Sequence, residues 1–307
     1  MTSPALPANR RGILYLCLGI AVFSVQDVIL KLISGGYPLS EAMTIRALVS
    51  APILLVLCAR DGGLRTLWTP GLTRMLGRGV ILFFAYTFYY LGLAGIPMAT
   101  AVALYFSAPL FITLLSAVLL GETVGARRRN GVLAGFAGVL IMVRPGSALF
   151  DPAALLPVAS GLCYALGMVT TRRLGQAETA PALAFWGNAV FLAGALILAL
   201  LFHGGAGGSP SLDFLTRPWV MPDARDAAMM AACGVIAAAG LTLLTQAYRI
   251  GEAAAVAPFE YSAMIWGVLN GWAVWGDLPD AVGWAGIAVI VGAGLYVLGR
   301  GPRAVPA

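Results

Sequence analysis

An all-helical membrane protein is predicted by three features of the sequence: an apolar composition, long unbroken apolar runs, and the regular spacing of those runs. Of 307 residues, 60% are hydrophobic and 10% charged, where a soluble domain carries about 25% charged residues. Mean hydropathy is +0.89. Crossing about 30 Å of hydrocarbon takes roughly 17 to 25 helical residues, and ten runs meet or approach that length: 12–34, 38–59, 76–95, 98–120, 130–143, 153–171, 181–202, 227–248, 253–275 and 282–298. They do not alternate apolar with polar residues, which excludes a membrane β-barrel.

Arg10 and Arg11 ahead of the first run resemble the start of a secretory leader, but nine further runs follow and no clear cleavage site intervenes, so it is expected to be retained. The third run carries Tyr86, Tyr89 and Tyr90 at i, i+3 and i+4, hence on one helical face. Pro109 and Pro258 interrupt the fourth and ninth runs; each frees a backbone carbonyl and permits a bend. The fifth and tenth are short and are expected to draw on flanking residues or a thinned bilayer. In the eighth, Gly234, Ala237, Ala238, Ala239 and Gly240 let a neighbouring helix approach closely. Between the seventh and eighth, segment 203–226 is Gly/Pro/Ser-rich, and Phe214, Leu215 and Trp219 are expected to lie on the membrane interface.

Cations set the orientation, because short loops rich in Lys and Arg remain cytoplasmic. One alternating set of connections holds fourteen arginines; the other holds Arg144, Arg217 and Arg225; Lys31 and Arg46 are left inside runs. Both termini are therefore expected in the cytoplasm, and the protein in a bacterial inner membrane. The net charge of +6 fits an anionic inner leaflet and calls for no nucleic-acid partner.

Cys17, Cys58, Cys163 and Cys233 all fall inside runs and are read as small apolar fillers rather than disulfides. With one histidine, His203, in a glycine-rich loop, no clustered metal ligands and no phosphate-cradling glycine loop, the sequence implies neither an enzyme, nor a cofactor, nor a metal site.

The two halves resemble each other. ATAVA at 99–103 matches AAAVA at 253–257; Gly121 and Glu122, with Gly131 beyond, match Gly276 and Asp277, with Gly286 beyond; GIAVFSVQDVILKL at 19–32 aligns with GLCYALGMVTTRRL at 161–174. Each half, 12–143 and 153–299, contains five runs, so the second enters the membrane from the opposite side. Inverted repeats of this kind are frequent in secondary transporters, with the substrate site near midplane between them. A channel or scaffold shares the helices but has no need of the repeat.

The five-plus-five pattern, together with YYLGLAGIPMATAVALYFSAPLFITLLSAVLLGE at 89–122 and AYRIGEAAAVAPFEYSAMIWGVLNGWAVWGD at 247–277, resembles the EamA-type branch of the drug/metabolite transporter superfamily, most closely its bacterial amino-acid exporters. The resemblance implies two inverted five-helix halves and export of small metabolites, amino acids prominent among them. Export of cationic drugs or other metabolites is the alternative; oligomeric state is left open.

Polar groups inside the runs supply the candidate site. An ionised Glu260 at the centre of a helix costs on the order of 3 kcal/mol and needs a cavity, a partner or a proton; it either binds a substrate ammonium or carries a proton, or else locks helix packing. Tyr86, Tyr90, Tyr105, Tyr164, Trp186 and Tyr261, with Asn188, are the candidate transport path, since rings with polar tips suit amphipathic substrates. Asp27 and Lys31, four residues apart, are placed to neutralise each other, and with Arg46 are expected to form one charged gate network near the external mouth.

Overall fold

The computed structural model describes residues 8–120, 126–144, 150–174, 178–205, 207–250 and 257–298. Those residues form α-helices, three short 3-10 turns and connecting loops, with no strand among them. In chain order the helices are α1 (Ala8–Ile33), α2 (Leu39–Arg60), α3 (Leu72–Gly95), α4 (Met98–Tyr105), α5 (Ala108–Leu120), α6 (Ala126–Val143), α7 (Leu155–Leu174), α8 (Ala180–Leu201), α9 (Pro210–Thr216), α10 (Ala224–Ile250), α11 (Ser262–Trp275) and α12 (Ala281–Leu298). By length and composition, α1, α2, α3, α7, α8 and α10 are apolar enough to cross a membrane; the apolar stretches Met98–Ile112, Asn130–Val143 and Ala281–Ala293 are shorter. Gly121, Glu122 and positions 253–256 of the internal repeat lie outside the described residues.

Local chemistry sets the boundaries. Thr179 caps α8 by accepting from the Ala182 amide at 3.3 Å, with Pro181 in the first turn, where its missing N–H costs nothing. Gly276 ends α11 in the left-handed region at φ 71°, a conformation that favours glycine.

The first of the two proline-bearing runs is broken rather than bent. The fourth stops at Tyr105, turns through Phe106 and Ser107, and restarts as α5, because the ring of Pro109 would meet the carbonyl of Tyr105 in a continuous helix. Gly161 of α7 packs into this break: a Cβ there would lie 2.8 Å from Ser107 Oγ and 3.1 Å from both Ala108 N and Tyr105 O. The described part of the ninth run starts with a 3-10 turn, Ala257–Tyr261, that leads into α11.

Helices pack in crosswise pairs between the two halves: α1 against α10, α3 against α7, α2 against α8, and α6 against α12. Small residues bring these backbones together. Gly19 of α1 faces Leu243 and Leu244 of α10, and Gly234 of α10 sits against Val49 and the Arg46 carbonyl of α2.

Segment 203–226 leaves Trp219 47% exposed but buries Phe214. Its middle forms α9, which packs on α3 and α2 with Phe214 only 1% exposed, since the ring gains more by entering the core than by resting at a lipid boundary. Hydrogen bonds strap the segment to one end of the bundle: Ser211 Oγ to Leu91 O at 2.7 Å, an Arg217 guanidinium N–H to Ser34 O at 2.9 Å, Trp219 Nε1 to Ser40 Oγ at 2.8 Å, and the Val220 amide to Glu41 Oε2 at 3.2 Å. At the α6–α12 pair, the Arg144 guanidinium meets both Asp280 carboxylate oxygens at 2.6 Å, and this holds the Asp280 carboxyl below its usual range.

Candidate functional site

A cavity of about 120 Å³ lies among α1, α3, α4, α7, α10, α11 and the turn before α11. The i, i+3, i+4 spacing brings Tyr86, Tyr89 and Tyr90 of α3 to its wall, where Tyr105 of α4 and Tyr164 of α7 join them. Ring centroids stand 5.3 Å apart for Tyr89 and Tyr105, 5.6 Å for Tyr105 and Tyr164, and 6.0 Å for Tyr86 and Tyr90. These spacings are those of interacting aromatic pairs, so the tyrosines form one continuous surface.

Among the described residues, the charged side chains that line the cavity are both acids, Asp27 and Glu260. Tyr89 donates its hydroxyl proton to Asp27 Oδ2 at 3.0 Å, and Tyr164 stands 3.5 Å from Glu260 Oε1. Each carboxylate thus keeps a tyrosine neighbour while sharing an aromatic chamber, a combination suited to an ammonium or other cation joined to a flat ring.

Other candidates fall elsewhere. Trp186 donates to the Leu67 carbonyl at 2.8 Å and meets Trp68 edge-on at 5.6 Å, beside the α2–α3 connection and away from the cavity wall. Asn188 ties α8 to α2, donating to Ala47 O at 2.9 Å and accepting from Ser50 Oγ at 2.6 Å. Tyr261 is buried against Phe106 at 5.1 Å, directly behind the wall.

Asp27, Lys31 and Arg46 take different hydrogen-bond partners, while Arg46 stays near enough to Asp27 to act on it electrostatically. Lys31 does not neutralise Asp27; its ammonium caps the carbonyls of Leu93 and Ile96, both at 2.6 Å, and stands 5.5 Å from the Trp275 ring. Free carbonyls at the end of α3 are better partners for a lysine at the helix terminus than a carboxylate one turn deeper, which is already engaged by Tyr89. Arg46 is 1% exposed, donates from Nε to Gln26 Oε1 at 3.1 Å, and lies 5.3 Å from the Phe191 ring.

Three contributors escaped the sequence reading. Gln26 of α1 bridges Arg46 and Tyr90, its Nε2 donating to the Tyr90 hydroxyl; its signal was a polar side chain beside Asp27 within an apolar run. Arg78 belongs to α3 rather than to a cytoplasmic connection and is close enough to Tyr164 and Tyr86 to act on them electrostatically. Ser160 of α7 lines the cavity and is indistinguishable in sequence from any small helix residue. Among the described residues no group of three or more His, Cys, Asp or Glu is placed to hold a metal ion.

A profile of the EamA-like transporter family matches residues 10–144 and again 151–299. The chain belongs to the EamA-like transporter family. Among its EamA-like relatives, a riboflavin transporter of Rhizobium johnstonii is 30% identical over 97% of this chain and 94% of its own. A pseudopaline exporter of Pseudomonas aeruginosa is 28% identical over 92% and 94%, and an S-adenosylmethionine uptake transporter of Rickettsia prowazekii is 24% identical over 96% and 94%. One crystal structure, 20% identical, superposes with a TM-score of 0.66 over 93% of this chain and 95% of its own, a likeness of fold. The protein is accordingly a multi-pass membrane transporter of small molecules.

Proposed function

We propose that this transporter carries amphipathic solutes that join a flat or aromatic body to a cationic or zwitterionic head, large neutral amino acids among them, and releases them from the cytoplasm by alternating access. The observation that carries this reading is the placement of Asp27 and Glu260 in one tyrosine-walled cavity. The charged side chains described on its wall are acids, which disfavours anionic solutes, with Arg46 and Arg78 set back from the lining. The relatives' named substrates support a ring-bearing or zwitterionic cargo: riboflavin is flat, and S-adenosylmethionine couples a ring system to positive charge.

The same reading takes 12–143 and 153–299 as inverted five-span halves with both termini cytoplasmic. One feature supports it: exchanging the halves leaves the set of crosswise helix pairs unchanged. On this topology the strap made by 211–220 closes the outer end.

Counterflow in proteoliposomes tests the substrate class. Vesicles loaded with 2-phenylethylamine or L-phenylalanine should accumulate the same labelled compound, while an equally sized aromatic anion such as 3-phenylpropionate should not exchange. Exchange of the anion alone would refute the reading. Uptake by right-side-out vesicles without efflux would reverse the assigned direction.

A further inference from the structure

We propose that Arg46, acting through Gln26, fixes the direction of the Tyr90 hydroxyl, making Tyr90 the donor that recognises a carbonyl or carboxylate oxygen on the solute. This deepens the reading of the cavity as the solute site and rests on it.

The argument is one of donors and acceptors. A guanidinium donates and never accepts. Because Arg46 Nε points at Gln26 at 3.1 Å, the amide must turn its oxygen toward Arg46; its NH₂ group then faces the other way, where it donates to the Tyr90 hydroxyl. The amide orientation follows from this chemistry and not from the shape of the side chain, which is the same either way round. Tyr90 therefore accepts from Gln26, and its own proton is not engaged in that bond. Tyr90 lines the cavity although it is only 1% exposed, and the proposal takes its uncommitted proton as the one that an acceptor on the solute engages there. Tyr89 behaves oppositely: its proton is committed to Asp27.

Arg46 is held for this role. It is almost wholly buried, its guanidinium lies over the Phe191 ring, and α10 approaches its backbone closely enough that a Cβ at Gly234 would lie 2.7 Å from the Arg46 carbonyl. Burying a guanidinium is costly even with the Asp27 carboxylate near enough to act on it, and a lysine would not aim a planar N–H at the amide in the same way. A permanent donor that sets the sense of a hydrogen-bond chain accounts for the expense. Arg46 and Gln26 are thus positioning residues, and Tyr90 is the specificity-determining contact. The cavity then sorts polarity, with acids Asp27 and Glu260 for the cationic end of a solute and Tyr90 for an oxygen.

The test uses two ammonium compounds that differ in a carbonyl acceptor, L-phenylalaninamide and 2-phenylethylamine, with binding followed by tryptophan fluorescence of the purified full chain at a pH where both are protonated. Wild type should prefer the amide about tenfold, the scale of one hydrogen bond. Tyr90→Phe should erase the preference. Gln26→Glu keeps Tyr90 and gives Arg46 a better partner, yet it offers an acceptor oxygen to Tyr90, draws the proton inward, and should erase the preference as well. A preference that survives in folded Gln26→Glu would overturn the inference. Difference infrared spectra with isotope-labelled tyrosine, the Tyr90 band being identified by its loss in Tyr90→Phe, give a readout without solute. The wild-type band should be that of an accepting phenol and shift to that of a donating phenol in Gln26→Glu; a donating band in wild type overturns the inference. If neither amine binds wild type, the solute class fails, while the infrared band still decides the direction of the hydroxyl.

Discussion

The Tyr89 hydroxyl donates to the Asp27 carboxylate across 3.0 Å, joining α3 to α1 at the wall of the cavity. Asp27→Asn keeps an acceptor oxygen for Tyr89 and removes the charge, so the fold should persist while affinity for 2-phenylethylamine falls roughly tenfold to a hundredfold, the loss expected for one charged hydrogen bond. Fluorescence titration of purified protein measures it.

Glu260 faces the same chamber from the turn before α11. On the reading in which Glu260 carries a proton, Glu260→Gln should abolish any pH dependence of counterflow. An unchanged pH profile in a correctly folded variant would assign Glu260 to packing between helices and leave Asp27 as the acid that reads the solute.

Gly161 has no room for a side chain at the α4–α5 break, where its neighbours include backbone atoms of Tyr105 and Ala108. Gly161→Ala should destabilise the protein by about 1–3 kcal/mol, as overpacking typically does. Thermal unfolding in detergent should show a lowered midpoint, and Gly187→Ala, where a Cβ meets nothing within 4 Å, provides the control.

The Arg144–Asp280 pair ties the end of α6 to the start of α12. Since Arg144 holds the Asp280 carboxyl below its usual range, the contribution is fully present above the ordinary aspartate range and is lost as pH falls through the depressed value. Asp280→Asn should lower the unfolding temperature at neutral pH by a small amount, with the difference from wild type vanishing in strong acid. A pH-independent difference would contradict the ion-pair account.

Trp186 bonds the Leu67 carbonyl, away from the tyrosine wall. Trp186→Phe should reduce stability by about 1 kcal/mol, the typical net worth of one hydrogen bond, and leave the KM of counterflow unchanged.

The long apolar runs were legible because the bilayer imposes one length and one composition on every span, and α1, α2 and α8 begin and end within a few residues of their expected limits. The tyrosines of α3 were equally legible, since helical periodicity alone puts Tyr86, Tyr89 and Tyr90 on one face. What the sequence did not disclose depends on contacts between distant elements. Lys31 turned to the carbonyls of Leu93 and Ile96, more than sixty positions away. Trp186 looked like a residue of the middle of a span until the α2–α3 connection supplied its acceptor. Gln26 was overlooked because an uncharged amide announces nothing until both of its ends have partners.

The strap between Ser211 and Val220 bears on how the protein should be handled. Epitopes, fluorophores or fusion partners are commonly inserted into the largest loop of a polytopic protein, and here that loop is stitched to the α1–α2 turn and to the end of α3. An insertion at Trp219 would unpick the stitching, whereas one between Gly207 and Gly208, both exposed and at positive φ, would extend the chain at a point that no strap bond uses.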